Sequence, residues 1–208
     1  MRILVVAATE FEVGDLRSEV GSQKSNIEFL VTGVGMVATA FALGRYFATN
    51  QFDLVINLGI AGSFDRSIAM GEVVEVTEDH LSELGAEDDD TFLPIETLGF
   101  GESICKNDTR LSAYTDINIK QVTAITVNTV HGHEPSIKKL ATRIQPELES
   151  MEGAAFFYAC KQTGMPCLQI RAVSNYVEKR NRDAWQIGLA IKNLNSFAID
   201  LLKQMDRH

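Results

Sequence analysis

Cysteine is scarce in this sequence: three residues in 208, Cys105, Cys160 and Cys167, an odd number without the paired spacing of a zinc site or a disulfide framework. A thiolate metal centre and an oxidised scaffold are thereby excluded, and these thiols are expected to be buried. Basic residues are also in deficit, with 19 Lys and Arg against 28 Asp and Glu and a net charge of −9. Binding a polyanion draws on clustered cations that displace its counterions, so no nucleic acid is expected as a partner. Prolines number only four, and no long stretch has the polar, charged composition of a disordered chain. No apolar run nears the roughly 20 residues that a bilayer-spanning helix needs. The short run at residues 3–8 is followed at once by Glu10 and Glu12, unlike a secretory leader. No membrane partner is expected, and the cytoplasm is the expected compartment.

What is present is a globular composition, 45% hydrophobic and 23% charged, over a length that suits a single domain, residues 1–208. Apolar, β-branched runs at residues 3–8, 54–58, 122–130 and 167–173 predict strands buried on both faces. Residues 37–49, 135–144, 151–162 and 182–203 carry helical patterning. Pro135 suits a first helical turn, and Gly164, Met165 and Pro166 stop one helix before the next strand. This alternation predicts an α/β fold, a single-domain three-layer α/β/α sandwich around a central mixed, largely parallel sheet. Residues 82–91, with Glu83, Glu87, Asp88, Asp89 and Asp90, are expected to form a solvated loop.

Two glycine turns follow strands, Thr32-Gly33-Val34-Gly35 and Asn57-Leu58-Gly59-Ile60-Ala61-Gly62. Glycine there lets a ligand approach the backbone, and it equally serves plain chain reversal. The first turn lacks the third glycine of a dinucleotide fingerprint, and the second lacks the Lys-Ser/Thr pair of a phosphate loop. His131 and His133 are two apart rather than at helical metal-binding spacing, and no Ser occupies a nucleophile elbow. No cofactor and no metal are expected. What the strand ends do carry is polar chemistry: Glu10 and Glu12, then Glu149 and Glu152, then Ser174 and Asn175. Singly, each also suits a helix cap or a solvated side chain.

Together, Ala7-Ala8-Thr9-Glu10-Phe11-Glu12-Val13, the two glycine turns, Glu149-Ser150-Met151-Glu152-Gly153-Ala154-Ala155 and Arg171-Ala172-Val173-Ser174-Asn175 resemble the nucleoside phosphorylase superfamily nearly end to end. Within it they are most similar to the methylthioadenosine/adenosylhomocysteine nucleosidase branch. The resemblance implies a nucleoside phosphorylase-like fold, a purine nucleoside as small-molecule substrate, cleavage of its N-glycosidic bond, and a homodimer. It implies that Glu152 accepts hydrogen bonds from the ribose hydroxyls, that Met151 packs beneath the sugar, and that Glu12 is the general base towards water. Gly35, Ala61, Gly62, Val130 and His131 would line the substrate site.

In the adenine-specific members an aspartate stands where this chain has Asn175. An amide cannot supply a proton, but it donates to N7 or to a 6-oxo group and accepts from a ring N–H, so the departure points to a 6-oxopurine. Residues 126–132 and 174–185 are similar to the futalosine hydrolases, which release hypoxanthine from a nucleoside with a carboxyphenyl ketone arm. That likeness makes His131 and Arg182 candidates for the arm; a loop hydrogen bond for His131 and a helix start for Arg182 suit them as well. Three alternatives stay open: a methylthioadenosine/adenosylhomocysteine nucleosidase, a phosphorylase of 6-oxopurine nucleosides, and a nucleoside sensor without chemistry. Phosphorolysis would need cations near the glycine turns, where only Arg45 and Arg66 lie, and a sensor has no need of both Glu12 and Glu152.

Overall fold

The computed structural model describes residues 1–20 and 26–205. Strand β1 (Ile3–Ala7) is buried at every position, as its unbroken apolar run dictates, and runs parallel to β2 (Ile27–Val31) on one side and β3 (Leu54–Ser63) on the other. A 3₁₀ turn at Glu10–Glu12 and α1 (Gly14–Val20) follow β1, and α2 (Met36–Phe47) joins β2 to β3. Then come β4 (Val73–Leu81), β5 (Gly85–Asp88), β6 (Thr91–Pro94), β7 (Ile104–Lys106), β8 (Gln121–Thr126), α3 (Glu134–Ala141), β9 (Leu148–Ser150), α4 (Gly153–Thr163), β10 (Cys167–Tyr176) and α5 (Ile187–Met205).

The sheet departs from the open layer expected of a sandwich, because it closes on itself. Strand β3 is ten residues long and divides one edge between β1, paired over Leu54–Asn57, and β9, paired at Gly62 and Ser63. Its other edge pairs in parallel with β10, which continues antiparallel to β4, then parallel to β8 and β9 and back to β3. Helices still cover both sides. Leu43 and Phe47 of α2 and Ala154, Phe156 and Phe157 of α4 pack into one core, and Leu16, Leu194, Leu201 and Leu202 of α1 and α5 pack into another. A third cluster joins Ile125, Val127 and Leu140 beneath α3. The three cysteines are buried and free, and among the described residues no helix is long and apolar enough to cross a membrane.

Three sequence expectations are corrected. Residues 82–91 are not a plain loop: β5 and β6 form a hairpin in register Asp88 to Thr91, and Asp89 takes the left-handed conformation (φ 52°) that a two-residue turn demands. The last helix does not begin at Arg182. A 3₁₀ turn spans Arg182–Ala184, Trp185 is extended, and α5 starts at Ile187, since the Gln186 N–H is drawn to the Ser174 carbonyl (2.7 Å). Finally, β8 stops at Thr126, and Val127, Val130 and His131 lie in the loop beyond it.

Candidate active site

The C-terminal half of β3 organises the site. Glu12, buried at the end of its 3₁₀ turn, accepts from the Thr9 N–H and hydroxyl at Oε2 (2.9 and 3.0 Å) and from the Ile60 N–H at Oε1 (3.2 Å). Thr9 and Glu12 close a capping box, so the sequence that ends β1 also fixes this carboxylate. Its position requires a bare backbone beneath it: a Cβ on Gly59 would lie 3.1 Å from Glu12 Oε1 and 3.1 Å from Arg171 Nη1. Glu152, at the N-cap of α4, accepts the Gly35 N–H at 2.9 Å. Gly35 itself has φ 96°, so the first glycine turn aims an amide at the second carboxylate.

Within the electrostatic reach of both carboxylates lies Arg171, 1% exposed in the middle of β10. Its guanidinium donates to Asn57 Oδ1 and to the Ile170 carbonyl. Burial lowers its pKa, and the fields of Glu152, Glu12 and Asp79 oppose that shift. Burial likewise raises the pKa of Glu152, against the pull of Arg171 and the Gly35 amide. Arg171 carries no role in the sequence motifs above; its signal is a guanidinium inside a buried, mostly apolar strand, which needs anions nearby to be tolerated.

Behind Glu152 lies a buried polar network. Asp79 accepts from Gln169 Nε2 and the Thr126 hydroxyl (2.8 Å each), and Thr126 Oγ1 accepts the Ala154 N–H of α4 at 2.7 Å. Only glycine fits after Glu152, because a Cβ on Gly153 would come 2.0 Å from Asp79 Oδ2. Burial pushes the Asp79 carboxyl up to about 6, with the Gln169 and Thr126 bonds and the Arg171 field pulling the other way. A carboxyl raised by folding stabilises the fold while protonated; that contribution is complete below about pH 4 and is lost as pH rises through about 6. Asp79→Asn is therefore expected to gain about 2–3 kcal/mol on the wild type between pH 4 and pH 7.5. Denaturant unfolding at the two pH values measures it, and a difference independent of pH would show Asp79 ionised throughout.

The far end of β3 holds the other group. A bulge between Val173 and Asn175 brings Asn175 opposite Gly62, whose other neighbour in the row is Glu149 of β9. The Ser174 hydroxyl donates to Asn175 Oδ1 (2.9 Å) and Asn175 Nδ2 donates to the Tyr176 carbonyl (3.1 Å), fixing which way the amide faces. His131 bonds Glu149 twice, through its backbone N–H (2.8 Å) and through ring Nδ1. Ile60, whose amide holds Glu12, and Gly62, beside Asn175, are two residues apart, about 7 Å along a strand.

The structure thus brings Glu12 to Ile60 in the C-terminal half of β3, ties Glu152, next to Met151 in the chain, to Gly35, and places Asn175 and the His131-bonded Glu149 on either side of Gly62, one residue beyond Ala61. Val130 packs against the cluster under α3. Arg182 is exposed and opens the 3₁₀ turn that precedes α5, while its neighbour Arg180 stacks over Trp185 (5.3 Å) and ties its amide to the Gly132 carbonyl. Of the two arginines weighed as phosphate ligands, Arg66 pairs with Glu178 and stacks on Tyr176, and Arg45 lies over the Phe41 ring.

A family model described as the phosphorylase superfamily matches residues 2–205. A futalosine hydrolase from Streptomyces coelicolor is 35% identical over 175 residues, 80% of this chain and 74% of that one. A second, from Thermus thermophilus, is 30% identical over 84% of this chain and 80% of its own length. Among solved structures, a 5′-methylthioadenosine/S-adenosylhomocysteine nucleosidase from Colwellia psychrerythraea, in complex with adenine, superposes with a TM-score of 0.82 over 99% of this chain and 96% of that one, at 23% identity. At that identity the likeness concerns the fold.

Proposed function

The chain belongs to the phosphorylase superfamily, where its curated relatives include futalosine hydrolases, and from that premise we propose that it hydrolyses the N-glycosidic bond of futalosine. The products would be hypoxanthine and dehypoxanthine futalosine, a step of menaquinone biosynthesis in the cytoplasm. The observation that carries this reading is Asn175, an amide with fixed orientation at the position where a proton-donating aspartate would favour adenine. It offers an N–H to the O6 and N7 edge as negative charge builds on the leaving base.

The remaining roles are those that the family resemblance implies, and the geometry supports them. Glu152 accepts from the ribose hydroxyls, and a buried anion strengthens those bonds as the sugar becomes oxocarbenium-like. Glu12 takes the proton of the attacking water, and the buried Arg171 lies in the fields of both carboxylates. Met151 lies under the sugar, and Gly35, Ala61 and Gly62 let the nucleoside approach the backbone. Hydrolysis rather than phosphorolysis is favoured because Glu12 and Glu152 already face the buried cation, while Arg45 and Arg66 are engaged elsewhere. A homodimer is supported by the apolar stripe that α2 and its approach expose, with Val34 57%, Val37 78% and Phe41 65% accessible.

Incubation with futalosine, inosine and methylthioadenosine, with and without phosphate, tests the assignment. Hypoxanthine is expected from futalosine at a rate indifferent to phosphate. Release of adenine alone, or a requirement for phosphate, would sink it.

A further inference from the structure

Glu152 stands where a helix ordinarily uses its own side chain. An N-cap side chain that carries an acceptor usually turns back to the N–H of the second or third helical residue, satisfying an amide that no earlier carbonyl can reach. Glu152 makes no such bond. Its carboxylate accepts the Gly35 N–H instead, at 2.9 Å, and α4 is capped from elsewhere. The Thr126 hydroxyl, at the end of β8, accepts the N–H of Ala154, the second residue of the helix, at 2.7 Å, and the Ser150 hydroxyl accepts that of Gly153 at 3.3 Å.

Thr126 can serve as that cap because its own hydrogen is committed in another direction. It is fully buried and donates to Asp79 Oδ1 at 2.8 Å, which leaves its lone pairs for Ala154. Asp79, buried on β4, accepts Gln169 Nε2 of β10 at its other oxygen. Three strands therefore cooperate to place one hydroxyl oxygen under the first turn of α4. Without it the Ala154 amide would be a buried donor lacking a partner, which is costly. The Glu152 side chain occupies the position from which that amide is ordinarily capped.

We infer that Thr126 is a positioning residue for Glu152: by capping α4 in its place, with its hydroxyl held by Asp79, it frees the Glu152 carboxylate for the ribose hydroxyls. This deepens the proposed function and rests on the ribose role given to Glu152 there. Asp79 acts here as a hydrogen-bond acceptor rather than as a charge. Asp79→Asn keeps the arrangement, its oxygen accepting from Thr126 and its NH₂ donating to Gln169 once that side-chain amide turns over; Gln169 Oε1 is buried without a partner, so the turn breaks no bond of the oxygen. Thr126→Val keeps the shape and removes the hydroxyl, so the freed Ala154 amide draws Glu152 back into the cap. The carboxylate is then lost from the sugar where its charge counts most, in the transition state, and the effect falls on kcat more than on KM.

Steady-state turnover of futalosine and of its 2′-deoxy analogue by the intact protein, repeated for Thr126→Val, Thr126→Ala, Thr126→Ser and Asp79→Asn, tests the inference. Thr126→Val is expected to lose about 10- to 100-fold in kcat on futalosine, the scale of a reacting group misplaced by about 1 Å, with KM within a few-fold. On the 2′-deoxy analogue its loss is expected to be far smaller, so the preference for the ribonucleoside collapses. Thr126→Ala also lacks the hydroxyl and is expected to behave alike, so the test stands if Thr126→Val does not fold. Thr126→Ser, which restores the hydroxyl, and Asp79→Asn are expected to stay within a few-fold of the wild type. A folded Thr126→Val or Thr126→Ala that keeps the wild-type rate, or that loses equally on both nucleosides, would overturn the role of Thr126 alone. A wild type indifferent to the 2′-hydroxyl would overturn the ribose role of Glu152 itself.

Discussion

Glu12→Gln is expected to retain substrate binding and to lose about 10²- to 10⁴-fold in kcat, the usual contribution of a positioned general base. The substitution keeps the volume and the attachment to Thr9, whose N–H and hydroxyl both donate to one oxygen. It places an NH₂ against the Ile60 N–H, where Glu12 now presents Oε1. One buried hydrogen bond is thereby replaced by facing donors, and a stability loss of about 1–3 kcal/mol should accompany the kinetic one. Steady-state kinetics on futalosine separates the two, because KM should stay within a few-fold of wild type. A loss in kcat of only two-fold would move the base role to Glu10 or Glu149.

Glu152→Gln is expected to cost about 10²- to 10³-fold in kcat, the scale set by removing one preorganised group that stabilises developing charge. The amide oxygen still satisfies the Gly35 N–H, so the fold of the first glycine turn should survive. What is lost is the negative charge that strengthens the ribose hydrogen bonds as the sugar becomes cationic and that helps keep Arg171 ionised in its buried position. The comparison that isolates this is a 2′-deoxy analogue, which should be a far poorer substrate than the ribonucleoside for the wild type and only slightly poorer for the variant. An unchanged discrimination between the two sugars would remove Glu152 from the ribose.

Much of this site is legible in the order of residues along the chain, and the reason is local. Glu12 is fixed by Thr9 three residues before it and Asn175 is oriented by the adjacent Ser174, whereas Glu152, at the N-cap of α4, is held by the Gly35 N–H from 117 positions away. Interactions as short in span as the first two leave motifs. Arg171 is legible only as part of a motif because its partner is distant in sequence, Asn57 lying 114 positions away, and the pairing of Glu149 with His131, 18 positions away, leaves no local pattern either. The fold shows the same division. The apolar runs gave β1 and the cores of β3 and β10, since a strand buried on both faces is patterned by its own burial. Closure of the sheet depends on β9, three residues long, pairing with both β8 and β3, and so short a strand has no periodicity to read. The hairpin of β5 and β6 was hidden by its acidic turn, and the start of α5 by a tertiary bond from Gln186 to Ser174.

The doubled edge of β3 makes that strand a ruler. One backbone carries the amide that holds Glu12 and, two residues on, the bare glycine between Asn175 and Glu149, so the interval between these two groups of side chains is covalent rather than the outcome of side-chain packing. Asn175 and Glu149, by contrast, hang from β10 and β9 on either side of that scale. Substitution at 175 or 149 would then leave the spacing along β3 unaltered.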